Sequence, residues 1–383
     1  MKIALVHDQL CEFGGSERVL VALKEVFPEA DIFTLVYDPK KLGPHRKLTE
    51  KWTIKTSWFD KIPILRNLYS PFRFLTPFIW EKFDFSKYDL VISSSGSWMS
   101  KGIKTKKPTI HISYIHHPPR YLYGYETAIE WKKYLPIKIY AYVINHFLRI
   151  WDYYSSQQPN YLIANSKETQ KRIKKFYRRN SYVIYPPVDI PKKLQVTSYK
   201  LHNYYLTVSR LAKAKHIDIL IKAANKIGFN LKIIGTGRDE KYLKSIAGKT
   251  VEFLGNLPDE KLKEIYPLAK AFLFASRDEE FGIAPVEAMG YGLPVIAYNS
   301  GAIPEYIKET VNGFLFNELS AESLIKKIKK FENLDKNKIL KMKKQARKTA
   351  KKFTKENFKK NILSFIEKEL SEDKKLGPFK NQR

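Results

Sequence analysis

The sequence predicts an α/β chain made of two doubly wound domains, and three observations carry that expectation. The chain has 383 residues, more than a single hydrophobic core ordinarily serves. Short apolar runs of strand length alternate with helix-patterned segments along nearly all of it. A proline-rich stretch, "VIYPPVDIP" at residues 183–191, separates two such series and reads as a linker. The division is therefore 1–190 for the first domain and 191–370 for the second. The segment 371–383, "SEDKKLGPFKNQR", reads as a frayed tail.

In the first domain "KIALVH" is an apolar strand, followed by the glycine loop "EFGG" and a helix from Ser16, placed as its N-cap. "ADIFTLVY", "YDLVISSS", "TIHISYIHH" and "NYLIANS" read as further buried strands. In the second domain "YYLTVSRL", "NLKIIGTG", "TVEFLG", "AFLFAS", "PVIAYN" and "NGFLF" read as strands. From Lys326 to Lys360 the pattern is helical, with 16 Lys/Arg against three acids. No repeat of fixed period runs through the chain.

Composition narrows the function classes. Aromatic residues make up 14%, enough to fill large cores. The single cysteine, Cys11, excludes an internal disulfide and fits a reducing, cytoplasmic compartment. The start "MKIALVHDQL" turns polar too soon for a signal peptide. No run approaches the length of a membrane-spanning helix. The net charge of +30 favours an anionic partner: nucleic acid, acidic lipid or a phosphorylated substrate. A lysine-rich composition without a partner is the plain alternative. Residues 101–150 hold nine Lys/Arg and two acids, threaded with Tyr121, Tyr123, Tyr125, Trp131, Tyr134, Tyr140 and Tyr142. That stripe suits either a core or the acidic inner face of a membrane, where the protein would be peripheral.

The candidate site residues follow strand ends. "DEEFGIAPVEAMGYGLPVIAYNSGAIPE" runs from Asp278 to Glu305 and reads as loop, helix, strand. Ligands of parallel sheets sit at the carboxyl ends of strands. A helix N-terminus there offers N–H groups and partial positive charge to an anion. Phe281, Gly282 and Ile283 supply such N–H groups. Glu279 in the loop and Glu287 in the first helical turn can accept from sugar hydroxyls. "VSRLAKAKH" adds Arg210 and Lys215, an arginine fork and a lysine charge suited to a diphosphate. Gly235 and Gly237 of "GTG" form a close-approach turn, but lack the spacing of a dinucleotide fingerprint. Gly14 and Gly15 allow close approach after the first strand. "SYIHHPPRYLY" places His116, His117 and Arg120 after another strand. Neighbours on an extended segment alternate sides, so His116 is expected to face the cleft and His117 to turn into the wall. These histidines lack a companion set of metal ligands. There is no Asp-x-Asp, P-loop or G-x-S-x-G elbow.

The ordered set of strand–GG–helix, "YIHHPPRY", "SRLAKAK", "GTG", "EFLGNLPDEKLKEIYPLAKAF", E-x7-E enclosing Phe-Gly, and "NGFLF" resembles the glycosyltransferases of family 4. The resemblance spans Met1 to about Glu369 and is most specific from Tyr205 to Phe316. It implies the GT-B architecture, two Rossmann-like domains facing across a cleft, with the C-terminal helix returning to the first. It implies a retaining transfer that needs no metal or other cofactor, from a nucleoside-diphosphate sugar to a glycan or lipid-linked acceptor. Arg210 and Lys215 would then hold the diphosphate, Glu287 the ribose and Glu279 the sugar. Gly15 would touch phosphate, His116 the sugar, and Asn256 and Leu257 the base. The "HxPxRY" segment resembles a bacterial subgroup that adds mannose-like sugars to surface polysaccharides. Departures are His117 for a common threonine, His216 for a glycine, Ala302 for a second glycine, and "AMGYG" for a small-residue run. Ala302 puts a backbone sugar contact there in doubt. Other readings stay open: a nucleic-acid-binding protein, although no such module is recognisable, another GT-B enzyme such as an epimerase or phosphorylase, or an inactive partner subunit.

Overall fold

The computed structural model describes residues 1–127, 134–192 and 203–372. The chain forms two compact units. The first comprises Met1–Leu122, Tyr142–Pro187 and Thr354–Arg383, the second Tyr123–Ala141 and Val188–Phe353. The first unit therefore includes the last helix, while a stretch after Leu122 groups with the second. Most of the segment 371–383, read as a tail, lies outside the described residues.

The sheet of the first unit is built from β1 (Ile3–His7), β2 (Asp31–Thr34), β3 (Ile54–Thr56), β4 (Leu90–Ser95), β5 (Ile110–Ile115), β6 (Tyr161–Ala164) and β7 (Tyr182–Val183). All pairs are parallel, in the order β3-β2-β1-β4-β5-β6-β7. Parallel strands covered on both faces are apolar throughout, and β4 and β5 are fully buried. Their polar residues answer one another: Ser93 Oγ lies 2.8 Å from His111 Nε2 and donates to Ser113 Oγ at 2.8 Å. The helices are α1 (Gly15–Val26), α2 (Pro63–Asn67), α3 (Thr76–Trp80), α4 (Leu135–Ser155), which belongs to this unit from Tyr142 on, and α5 (Lys167–Tyr177). The chain order reverses between β1 and β4, which makes that crevice the switch point of the sheet.

Helix α1 begins one residue before the expected cap. Gly14, not Ser16, is the N-cap, because its N–H donates to Glu17 Oε2 at 2.7 Å. The Ser16 hydroxyl turns instead to Glu17 Oε1 at 2.9 Å.

The second unit holds β8 (Tyr204–Val208), β9 (Asn230–Ile234), β10 (Val251–Gly255), β11 (Phe272–Phe274), β12 (Val295–Tyr298) and β13 (Gly313–Phe316). The parallel order β10-β9-β8-β11-β12-β13 puts its switch point between β8 and β11. Helices α6 (Ile217–Ile227), α7 (Glu240–Ser245), α8 (Asp259–Ile265), α9 (Ile283–Gly290), α10 (Ile303–Tyr306), α11 (Ala321–Glu332) and α12 (Lys336–Ala350) cover it. Helix α13 (Lys355–Glu372) buries Phe358, Ile362, Phe365 and Ile366 in the core of the first unit, beside Val19 and Leu23 of α1. Lys355 and Lys359 both pair with Glu25. The basic run from Lys326 to Lys360 is thus three helices. A new cap separates the first two, with Asp335 accepting from the Lys338 N–H at 2.8 Å.

Candidate active site

In the second unit the site grows from the loops that leave β8, β9, β11 and β12. After β8 the chain passes Arg210, which is exposed, and makes a short 3-10 turn at Lys213–Lys215. His216 then takes φ +49°. That left-handed conformation explains why glycine would suit the position and why a side chain here carries strain. Its ring Nε2 lies 2.9 Å from Glu126 Oε2. The turn is braced from below by "GTG". A Cβ on Gly235, at φ +124°, would stand 2.0 Å from the Ser209 carbonyl oxygen, and one on Gly237 2.3 Å from that of Leu211. These glycines make room for the loop that carries Arg210 and Lys215.

Lys215 is aimed at the β11–α9 loop. Its Nζ donates to Glu279 Oε2 at 2.6 Å, and the buried Ser276 hydroxyl donates to the same oxygen at 2.5 Å. Both charged side chains are mostly covered, 19% and 14% exposed, so the pair feels less water screening than a surface ion pair does. The loop is held in a fixed shape. Asp278 adopts φ +55°, and its N–H donates to Ser300 Oγ at 3.0 Å. The Ala302 N–H donates to the Glu279 carbonyl at 2.9 Å. That N–H is spent inside the protein, which bears on the backbone sugar contact questioned from the sequence. A Cβ on Gly301 would meet the same carbonyl oxygen at 2.1 Å.

Phe281 and Gly282 lead into α9, with Gly282 at φ +83° as a cap without a side-chain bond. The Tyr306 hydroxyl donates to the Phe281 carbonyl at 2.8 Å. The opening N–H groups of an α-helix have no acceptor within the helix, so Ile283 begins an anion-favouring end. Pro285 is buried in the third helical position, and Glu287, half-buried, sits one turn into the helix rather than in its first turn. Asn256 and Leu257 follow β10, exposed and half-buried. The structure therefore joins Lys215, Glu279 and Ser276 directly and places Arg210, Gly235, Phe281, Gly282 and Ile283 on the same end of the sheet. Ser276, Ser300 and Tyr306 carry no signal in the sequence that singles them out.

A second cluster lies at the switch point of the first unit. His7 ends β1, Ser94 lies near the end of β4, and His116 follows β5. His7 Nε2 is 3.2 Å from Glu17 Oε1, and its Nδ1 is 3.0 Å from Ser94 Oγ. Ser94 Oγ is in turn 2.7 Å from His116 Nε2. The side chains of Glu17, His7, Ser94 and His116 are all buried. The two histidines differ in burial. Strand β5 ends at Ile115, so the pair is not extended sheet. His116 is buried at 9% exposed, whereas His117 is half-buried, with Nε2 3.3 Å from where a Gly96 Cβ would stand. Gly15 and Arg120 belong to the same unit, exposed and half-buried. Beside the cluster, buried Asp8 accepts the N–H groups of Gly96, Trp98 and Ser100 at 2.9, 2.7 and 3.0 Å. It shapes the loop leaving β4.

Burial alone would raise the Glu17 carboxyl. Contact with His7 first, then a backbone hydrogen bond and the Ser16 hydroxyl, outweigh it and hold the group below its ordinary value. Such a group stabilises the fold fully above its unfolded pKa, and that contribution is lost as pH falls through the folded value. Glu17→Gln should therefore cost roughly 2–4 kcal/mol at neutral pH and less near pH 4. Thermal melts at both pH values check this; an equal Tm deficit at each would contradict it.

Among the described residues no three His, Cys, Asp or Glu side chains gather so as to hold a metal ion. Comparison with known proteins fits the two halves separately. The model of "Glycosyltransferase Family 4" matches residues 13–192, and that of "Glycosyl transferases group 1" matches residues 191–353. The GtfA subunit of the UDP-N-acetylglucosamine–peptide N-acetylglucosaminyltransferase of Streptococcus agalactiae is 26% identical over 256 residues, 63% of this chain and 48% of that protein. The chain spans about half the length of the curated relatives it matches, 48% and 50% in two cases. Among solved structures, Anabaena HepE in complex with UDP superposes with a TM-score of 0.70 at 18% identity, covering 96% of this chain and 99% of HepE. Sucrose-phosphate synthase from Thermosynechococcus elongatus gives 0.72 at 16% identity, covering 97% and 100%. These likenesses identify the fold as GT-B, and with family models matching from residue 13 to residue 353, the chain belongs to the family 4 glycosyltransferases.

Proposed function

We propose that this chain is a retaining glycosyltransferase. It moves a hexose, with a mannose-like sugar favoured, from a nucleoside-diphosphate sugar to a glycan or lipid-linked acceptor of cell-surface polysaccharide synthesis. It works without a metal, in the cytoplasm and against the acidic inner membrane face, and takes no nucleic acid. The observation that carries the reading is the Lys215–Glu279–Ser276 contact at the switch point of the second sheet, beside the N-terminus of α9. It sets a cation for phosphate next to a fixed carboxylate for hydroxyls. UDP in the HepE structure supports a nucleotide donor.

Breaking the donor's glycosidic bond leaves positive charge on the sugar and negative charge on the diphosphate. Arg210, Lys215 and the α9 N-terminus stabilise the leaving group, a role preorganised donors fill without solvent reorganisation. Glu279 orients the sugar hydroxyls, and Glu287 the ribose. The acceptor hydroxyl attacks the anomeric carbon on the face the diphosphate leaves, and its proton passes to a diphosphate oxygen. The family resemblance implies a sugar contact for His116, which Ser94 holds.

A panel of sugar nucleotides, assayed for binding and for mass gain by an acceptor, tests the class. Mass gain separates transfer from epimerisation. Glu287→Ala should weaken nucleoside-diphosphate binding about tenfold, the loss of one charge-assisted hydrogen bond. Glu279→Ala should spare that binding and lower kcat. Equal loss of nucleotide affinity in both variants would refute the division of roles.

A further inference from the structure

Helix α4 faces the wrong way for a helix on a water-facing surface. Its buried side chains are Asn145, Leu148, Asp152 and Ser155, three of the four polar. Its exposed ones include Val143, Phe147, Ile150 and Tyr154, at 49%, 63%, 46% and 63%. Steps of four, three and four put these on one stripe of the helix. The polar side is where the helix is fastened. Asn145 Nδ2 donates to the Tyr121 carbonyl at 3.4 Å, Arg149 Nη1 to the Leu122 carbonyl at 3.2 Å, and Lys101 to Asp152. The apolar stripe is left over.

A second apolar segment is tied to the same strip of chain. Residues 61–80 expose Ile64, Leu68 and Phe78 at 61%, 59% and 59%. Arg73 of this segment lies over the Tyr121 ring at 4.3 Å and the Trp98 ring at 5.3 Å. Isolated exposed apolar residues are ordinary; a contiguous set of large ones marks a contact surface.

Charge selects the occupant. Residues 61–80 carry Lys61, Arg66 and Arg73 and no acid; Asp60 and Glu81 flank them, Asp60 lies 3.5 Å from Arg66, and the chain as a whole carries +30. The only acid in the sequence of α4, Asp152, has no exposed area. A second copy of this surface would bring cations against cations, while an anionic bilayer offers both hydrocarbon and opposite charge. Among the described residues no helix is long and apolar enough to cross a membrane, so the geometry is that of a helix lying in the interface. We propose that the outward stripe of α4, with the apolar side chains of residues 61–80, is the surface by which the first unit lies on an anionic lipid bilayer. The inference rests on the membrane-facing part of the proposed function and names its contact. Trp131 of the aromatic stripe lies outside the described residues.

Sedimentation of the full chain with phosphatidylcholine vesicles, with and without phosphatidylglycerol, tests it. The wild type should pellet with the anionic vesicles and weaken, without complete release, at high salt. F147S/I150S and I64S/L68S should each weaken partition on the order of tenfold or more. Tyr242→Ser, an exposed aromatic of the second unit, should not. Should the serine variants lose their folded melt, Phe147→Trp replaces them, and the emission of the introduced indole should shift to the blue on anionic vesicles. Unchanged partition of the folded serine variants, an unshifted indole emission in Phe147→Trp, or equal binding to neutral vesicles overturns the proposal. So does a wild-type dimer that F147S/I150S dissociates without changing sedimentation. Nucleoside-diphosphate affinity, read in parallel without lipid, reports on the glycosyltransferase reading separately: retained affinity with failed sedimentation sinks only the membrane surface.

Discussion

Lys215→Ala is expected to lower kcat on the order of 10²–10³-fold, the loss typical when one donor to a developing oxyanion is removed. The side chain has two tasks. It presents positive charge where the leaving diphosphate forms, and its 2.6 Å contact fixes Glu279. Its removal takes the ammonium off Glu279 Oε2 and loosens a carboxylate that Ser276 also holds, so nucleotide and sugar contacts suffer together. Arg210 is exposed on the same loop, and Arg210→Ala should also lower turnover by weakening the hold on the phosphate. A double-mutant cycle tests the Lys215–Glu279 contact. Lys215→Ala and Glu279→Gln should be strongly non-additive, because they share one contact. Steady-state rates at saturating donor read the outcome. Near-normal turnover in both Lys215→Ala and Arg210→Ala would remove the diphosphate role from this loop.

Much of this site is legible in the sequence because its residues sit at strand ends that apolar runs announce. The six runs of the second domain each contain an observed strand. In the first domain β3 and β7 have no such run to announce them. They are three and two residues long, too short and too exposed for a pattern of apolar residues to develop. Long-range pairing is not legible. Lys215 and Glu279 are 64 positions apart, and only the adjacency of β8 and β11 brings their loops together. The relay from Glu17 to His116 is hidden for the same reason, although "VH" at the end of β1 and "SSS" at the end of β4 are its visible signs. The burial of the two histidines is not legible for a local reason: alternation is a rule of strands, and β5 has already ended. Helix α4 defeats the pattern more deeply. Burial of polar side chains on one face cannot be inferred from periodicity, since it depends on a partner such as Lys101 arriving from β4's following turn.

That partner underlies the second large effect, expected on stability. Lys101 and Asp152 form a salt bridge with 1% and 0% of their side chains exposed. Lys101 stands on a short 3-10 turn, Ser100–Gly102, and its ammonium also lies 5.0 Å over the Tyr177 ring. The helix is pressed close: a Cβ on Gly102 would stand 2.4 Å from the Trp151 ring. Lys101→Met removes the ammonium that Asp152 faces in this buried place. Breaking a buried pair this way costs about 3–5 kcal/mol, which corresponds to a fall in Tm of roughly 10 °C for a unit of this size. Replacing both partners removes both charges. K101M/D152L should recover most of the loss, because an apolar pair of similar volume is often as stable as a buried ion pair. Thermal and denaturant unfolding of the two single variants and the double variant decide it. A double variant as unstable as the sum of the singles would show that the pair is not the unit that holds α4. Lys101→Met at wild-type stability would show that the carboxylate finds other compensation.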